Sequence, residues 1–155
     1  MNRPAIEIRP LGDVPSLLPL CTRWNYEEWG RDDGMTLGII SDAFARMVRE
    51  ARGEHVLVAL VEGEPAGMVL LIDCDLESHA HLTPWVAGVY VEPAFRGKGV
   101  AAALVEAAEA YARREGHALA YLYTAIPDLY ARMGWAIQEI LTGDSAGMSL
   151  MRKAL

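Results

Sequence analysis

The chain has 155 residues, a net charge of -7, 52% hydrophobic residues and 23% charged residues. That profile suits one soluble globular domain, 1-155, with a sizeable core. The acidic balance excludes a broad nucleic-acid surface, which needs clustered Lys and Arg. No apolar run approaches the roughly 20 residues that cross a bilayer.

The N-terminal MNRPAIEIRPL lacks the apolar core of a signal peptide, so the chain reads as cytoplasmic, without a membrane partner. Alternation over Ala5 to Arg9 predicts a first strand, ended by Pro10, Gly12 and Pro15. Leu17 to Trp29 fits a helix with Leu17, Leu20, Cys21, Trp24 and Trp29 on one side. Gly30 and Gly34 break it, with Asp32 and Asp33 between them. Leu37 to Arg52 fits a second helix, with Ile40, Ala43, Phe44, Met47 and Val48 at helical spacing and Gly53 as its stop. His55 to Val61, the turn Glu62-Gly63-Glu64-Pro65 and Ala66 to Asp73 predict a hairpin.

A loop is expected over Leu76 to Thr83, then a strand over Pro84 to Val91. Gly88 inside that strand predicts a bulge or a close backbone approach. Gly99 to Glu115 is a strong helical pattern. Leu104, Val105, Ala108, Tyr111 and Ala112 form its buried stripe, and Glu106, Glu109, Arg113 and Arg114 its wet face. Strands follow over Ala118 to Tyr123, Trp135 to Leu141 and Met148 to Lys153, with a short helix over Pro127 to Met133. Three consecutive central strands imply antiparallel neighbours and an α+β fold. Cys21 and Cys74 form no CxxC pair and no zinc spacing, so they read as reduced, buried thiols, and no metal is expected.

The turn Arg96-Gly97-Lys98-Gly99-Val100-Ala101 is the most informative stretch. The first turn of a helix leaves amide N–H groups without partners, and these form an anion site. Glycines let a ligand approach the backbone, and Arg96 and Lys98 add charge. A phosphate or pyrophosphate held mainly by backbone fits this chemistry. Gly97 to Ala102 also satisfies GxGxxA, with Glu115 downstream, as in a dinucleotide fold. Its context opposes that reading, because Pro93 separates strand from turn and too little chain follows for a second mononucleotide half. A P-loop is excluded, since Gly99 rather than Ser or Thr follows Lys98.

Arg96-x-x-Gly99-x-Ala101 resembles the Q/R-x-x-G-x-G/A signature of the GCN5-related N-acetyltransferase (GNAT) family. The preceding Gly88-Val89-Tyr90-Val91-Glu92-Pro93 resembles the same family. Tyr130-Ala131-Arg132-Met133-Gly134-Trp135 is similar to its Y-x-x-x-G-[FW] segment. The resemblance implies a central, mixed but mostly antiparallel, twisted sheet of six to seven strands, flanked by about four helices and splayed at its middle. It implies acetyl-CoA as cosubstrate and transfer of acetyl to a primary amine on a small molecule, a protein N-terminus or a lysine. The alternative of another class is a non-catalytic acyl-CoA-binding module on the same fold.

The resemblance also assigns residues. The loop Arg96, Gly97, Lys98, Gly99, Val100 and Ala101 would wrap the pyrophosphate. Main-chain groups of Val89 and Val91 would pair with the pantetheine arm, and an amide near Tyr90 or Val91 would polarise the thioester. Tyr130 would be the general acid. Thr124 stands in the segment where many members carry a pantetheine-contacting Asn. For the acceptor side, His79 and His81 before Trp85 either face the slot or are exposed loop residues. Glu27, Glu28, Asp32 and Asp33 either border a cationic amine or form a solvated loop. Of Trp24, Tyr26 and Trp29, at least two belong to the core and one lines the acceptor pocket. A homodimer is compatible with the family, although no segment marks an interface.

Overall fold

The computed structural model describes residues 5–155. The first four residues of the stretch read for a targeting segment lie outside them. The elements in order are β1 (Ile6–Pro10), α1 (Leu18–Asn25), α2 (Leu37–Glu50), β2 (His55–Val61), β3 (Glu64–Ile72), β4 (Trp85–Val91) and α3 (Val100–Arg114). Then come β5 (Leu119–Thr124), α4 (Pro127–Ala131), β6 (Ala136–Ile140) and β7 (Ser149–Ala154). They match the expected order, with ends shifted by a residue or two. Among the described residues no helix is long and apolar enough to cross a membrane.

The seven strands form one sheet in the order β1-β2-β3-β4-β5-β7-β6. Every pairing is antiparallel except β4 with β5. Side-chain alternation along the strands splits the core into two layers. Leu57, Ala59, Val69 and Leu71 face α3, with its Leu104, Val105, Ala108 and Ala112. Val56, Val58, Met68 and Leu70 face α1 and α2, with Trp24, Phe44 and Met47. The hairpin between β2 and β3 turns through Glu62 (φ 51°) and Gly63 (φ 83°), two left-handed residues whose twist suits a two-residue loop.

Four expectations are corrected. The first helix does not run regularly to Trp29. After Asn25 the chain widens into a π turn over Tyr26–Gly30, which shifts the facing of Tyr26 to Trp29 away from simple helical spacing. The second helix ends at Ala51, itself left-handed (φ 47°), two residues before Gly53. Cys74 is exposed, because it falls in the loop after β3, whereas Cys21 is buried and its thiol pushed up to about 12 by that burial. Glu109 is not on a wet face: it is 4% exposed, because it continues the Val105–Ala112 stripe and meets a cation there.

Candidate active site

The slot begins at the middle of the sheet. β4 and β5 share one paired position, Trp85 with Tyr121, and Tyr121 N–H donates to the Pro84 carbonyl at 3.0 Å. Beyond that rung the two strands separate. The cause lies in β4. Its register against β3 runs Gly67–Val91 and Met68–Tyr90, then jumps to Leu70–Ala87, so Gly88 and Val89 together oppose Val69. Gly88 sits at φ 58°, a conformation that side chains rarely adopt, and the bulge bends the strand away from β5.

Three further residues fix the bent segment, and their part in it was not anticipated. Gly67 on β3 lies so close that a Cβ there would collide with the Tyr90 carbonyl. On the other face, the Trp24 indole N–H donates to the Glu92 carboxylate, and its ring lies 5.3 Å from that of Tyr90. Gly67 pairs with Val91, beside the bulge, and a glycine inside a strand is a readable signal of close backbone approach. Trp24 and Glu92 are 68 residues apart, and nothing local connects them.

The loop after β4 delivers the helix N-terminus. Gly97 (φ 76°) and Gly99 (φ 83°) take left-handed turns, and a Cβ at either would meet nothing within 4 Å. No side chain caps α3. Its first helical bond runs from Ala103 N–H to the Gly99 carbonyl at 3.1 Å. The amides of Val100, Ala101 and Ala102 therefore have no helical acceptor and point out of the helix end with the positive pole of its dipole. Arg96 is exposed, and its Nε donates to the Val91 carbonyl at 2.9 Å, which draws the guanidinium toward the end of β4.

These parts border a cleft of about 530 Å³. Its lining runs from Glu28 through Val89, Tyr90 and Val91 to Arg96, Gly97, Gly99 and Val100–Ala102, and ends on Leu129, Tyr130 and Met133. The π turn that carries Glu28 packs on the α1/α2 face, whereas Leu129, Tyr130 and Met133 pack on the α3 face. The cleft thus passes through the sheet at the splay. Tyr130 is 7% exposed, and its hydroxyl has no hydrogen-bond partner among the described residues. Burial raises its pKa above the ordinary tyrosine value, so it is fully protonated near neutral pH. A smaller depression of about 300 Å³ lies between β1 and α3. Its two guanidiniums are engaged, Arg9 with Glu7 and Asp13, and Arg114 over the Tyr111 ring.

Several expected site residues stand elsewhere. Trp85 is fully buried, with its indole N–H on the Leu82 carbonyl at 2.7 Å, so it is core and offers no surface to a ligand. His79 and His81 stack on each other at 6.0 Å, and His79 Nε2 lies 3.0 Å from the Glu139 carboxylate on β6; neither lines the cleft. Lys98 is also absent from the lining, its ammonium resting 5.7 Å from the Phe95 ring centroid. The Thr124 hydroxyl accepts from Ile126 N–H at 3.0 Å and so shapes the turn into α4 rather than the cleft wall. Trp24 is core, while Tyr26 and Trp29 are half-buried against the same cluster. Asp33 does find company: it and burial push the Asp75 carboxyl up to about 7, and both acids raise the Tyr123 hydroxyl, which burial raises most. Glu115, the acid that a dinucleotide site would need, instead accepts from Gly53 N–H and pairs with His55.

Among the described residues no group of His, Cys, Asp and Glu could hold a metal ion. A cleft with free amides at one end and a tyrosine at the other suits an extended, anionic acyl carrier such as acetyl-CoA. Comparison with known proteins agrees. The model of the acetyltransferase (GNAT) family matches residues 17–135. A protein of Methanocaldococcus jannaschii named as an uncharacterised N-acetyltransferase is 29% identical over 93 residues, 56% of this chain and 41% of that relative. A GCN5-related N-acetyltransferase from Ralstonia eutropha JMP134 is 25% identical, with a TM-score of 0.64 over 90% of this chain and 97% of that one. The PaiA N-acetyltransferase from Thermoplasma acidophilum, solved in complex with coenzyme A, shares the fold at 16% identity and a TM-score of 0.61, over 97% and 99% of the two chains. The chain belongs to the acetyltransferase (GNAT) family, whose members take the acyl group from acetyl-CoA.

Proposed function

We propose that this chain transfers an acetyl group from acetyl-CoA to a primary amine, on a small molecule or a peptide, by direct attack, with Tyr130 as the general acid. The observation that carries this reading is the meeting, in one cleft through the sheet, of an uncapped glycine-built helix N-terminus and a largely buried tyrosine that lines the cleft. In this reading the amides of Val100 to Ala102, the glycine backbone at 97 and 99, and Arg96 hold the pyrophosphate. Lys98 adds charge from the rim. The main chain of Val89 and Val91 pairs with the pantetheine arm as a missing strand would. An amide at Tyr90 or Val91 faces the thioester oxygen, where negative charge develops.

When bound, acetyl-CoA supplies an activated acyl group and a thiolate leaving group that needs a proton. Tyr130 retains its proton because burial disfavours the phenolate, so a proton is in place when the sulfur departs. Glu28, exposed at the cleft mouth beside Glu27, supports a cationic acceptor on the α1/α2 side.

The test has two stages. Calorimetric titration with acetyl-CoA, coenzyme A and NADH should give binding of the first two alone. Release of free thiol is then followed against a panel of polyamines, aminoglycosides and peptides. Tyr130→Phe should lower kcat by about 100-fold, within the range for general acid–base groups, and leave acetyl-CoA affinity unchanged. An unaltered kcat removes Tyr130 as the acid. Coenzyme binding without thiol release from any amine leaves a binding module.

A further inference from the structure

α4 has only five residues, Pro127–Ala131. A helix this short has almost no stability of its own, so its internal bonds do not determine where Tyr130 stands. The support comes from outside. The Tyr130 carbonyl accepts from Met133 N–H at 2.9 Å and from Trp135 N–H at 3.1 Å. The Met133 carbonyl in turn accepts from Lys153 Nζ at 2.7 Å. The same ammonium lies 2.8 Å from Glu109 Oε1. The other oxygen of that carboxylate accepts the Trp135 indole N–H at 3.3 Å. The path leaves Tyr130 through Met133, passes Lys153 and Glu109, and returns through Trp135.

Two members of this ring are buried, Glu109 at 4% and Trp135 at 3% exposed, while Lys153 and Met133 are half-buried. Gly134, at φ 92°, packs against it, since a Cβ there would stand 3.4 Å from Lys153 Cε. A buried ion pair is weak evidence for stability, because apolar groups of the same volume often serve as well. What it adds is direction, as charged hydrogen bonds are short and geometrically strict. Glu109 also lies on α3, ten residues after Gly99, or about 15 Å along the helix whose N-terminus borders the cleft.

We infer that Lys153, held by Glu109 and Trp135, is a positioning residue for Tyr130. It fixes the acid relative to the anion loop through a shared helix. The inference rests on the reading of Tyr130 as the acid.

A double-mutant cycle tests it. Lys153→Met should lower kcat roughly tenfold or more, as expected for a displaced catalytic group, and leave acetyl-CoA affinity within about twofold. Lys153→Arg should recover part of the loss. In the Tyr130→Phe background the same Lys153→Met change should cost no more than about twofold, because a residue acting through Tyr130 has nothing left to position. Equal losses in both backgrounds, or a loss of coenzyme affinity that matches the loss of kcat, would overturn the inference and leave a structural pair. If Tyr130→Phe alone leaves kcat unchanged, the acid assignment falls first and takes this inference with it. Lys153→Met strands a buried carboxylate, so Glu109→Gln/Lys153→Met, which carries neither charge, runs the same cycle if the single variant does not fold.

Discussion

The loop Arg96–Ala101 and the segment Ile126–Trp135 form opposite walls of one cleft, and they are built by opposite means. The loop is exposed, except for Val100 and half-buried Ala101, and no side chain caps its helix. Its donors are main-chain amides, aimed by two left-handed glycines. Water can satisfy those donors when nothing else does, so the loop needs little support. The tyrosine segment instead carries a side chain that is 7% exposed, and its placement depends on what packs around it. The segment is held by a carboxylate from α3 and an ammonium from β7, the carboxylate also accepting the segment's own Trp135 indole N–H. Donors on a surface loop can be backbone alone, whereas a buried side chain takes its position from the elements around it.

Substitutions should separate the two walls. The largest effect is expected from Glu109→Ala, which leaves Lys153 half-buried without its anion and the Trp135 indole without an acceptor. Urea unfolding should show a loss of about 3–5 kcal/mol. A loss under 1 kcal/mol would mean that the tyrosine wall is held by packing alone. Gly99→Trp acts on the other wall, forcing a bulky residue into φ 83° at the mouth of the cleft. Calorimetry should show acetyl-CoA affinity reduced about 100-fold, or near 2.7 kcal/mol. Retained affinity would place the pyrophosphate elsewhere. Gly67→Ala should disturb both walls through β4, since the new methyl must displace the Tyr90 carbonyl; a cost of about 1–3 kcal/mol in stability, with weaker coenzyme binding, is expected.

The smallest effect belongs to Asp75, outside both walls. Its folded carboxyl sits at about 7, above the ordinary 3.8, through burial and the charge of Asp33. Between those values the folded state holds a proton that the unfolded chain has released. Its contribution is therefore complete below about pH 4 and is lost as pH rises toward 7. Asp75→Asn should remove that decline and so be more stable than the parent at pH 8, with no change at pH 4. A flat difference across that range would show that Asp75 titrates normally.

The sequence carried the loop wall well and the tyrosine wall only in outline. Glycines at 97, 99 and 88 announce left-handed backbone wherever they stand, and alternation with helical spacing predicts the strands and long helices. Tyr130 was legible as a position through the Tyr130–Trp135 segment, but its support was not. Glu109 reads as a surface acid unless Lys153, far along the chain, is known to lie beside it. The same holds for Asp75, which becomes unusual only when the loop carrying Asp33 comes near. The placement of His79, His81 and Trp85 was open for a related reason. The histidine loop, which leads into Trp85 at the start of β4, folds back against β5 and β6, and no local pattern fixes that path.

The single rung between Trp85 and Tyr121 has a mechanical consequence. The sheet behaves as two plates, a four-stranded meander β1–β4 and a three-stranded β5–β7–β6, hinged at one corner. Each plate is internally stitched by ladders of several paired residues, while the seam between them depends on side chains and on whatever fills the gap. Local opening should begin along that seam, so amides bordering it should exchange with solvent faster than their neighbours one strand away. A ligand that bridges the plates would then act as a latch as well as a reactant, slowing that exchange on both sides at once.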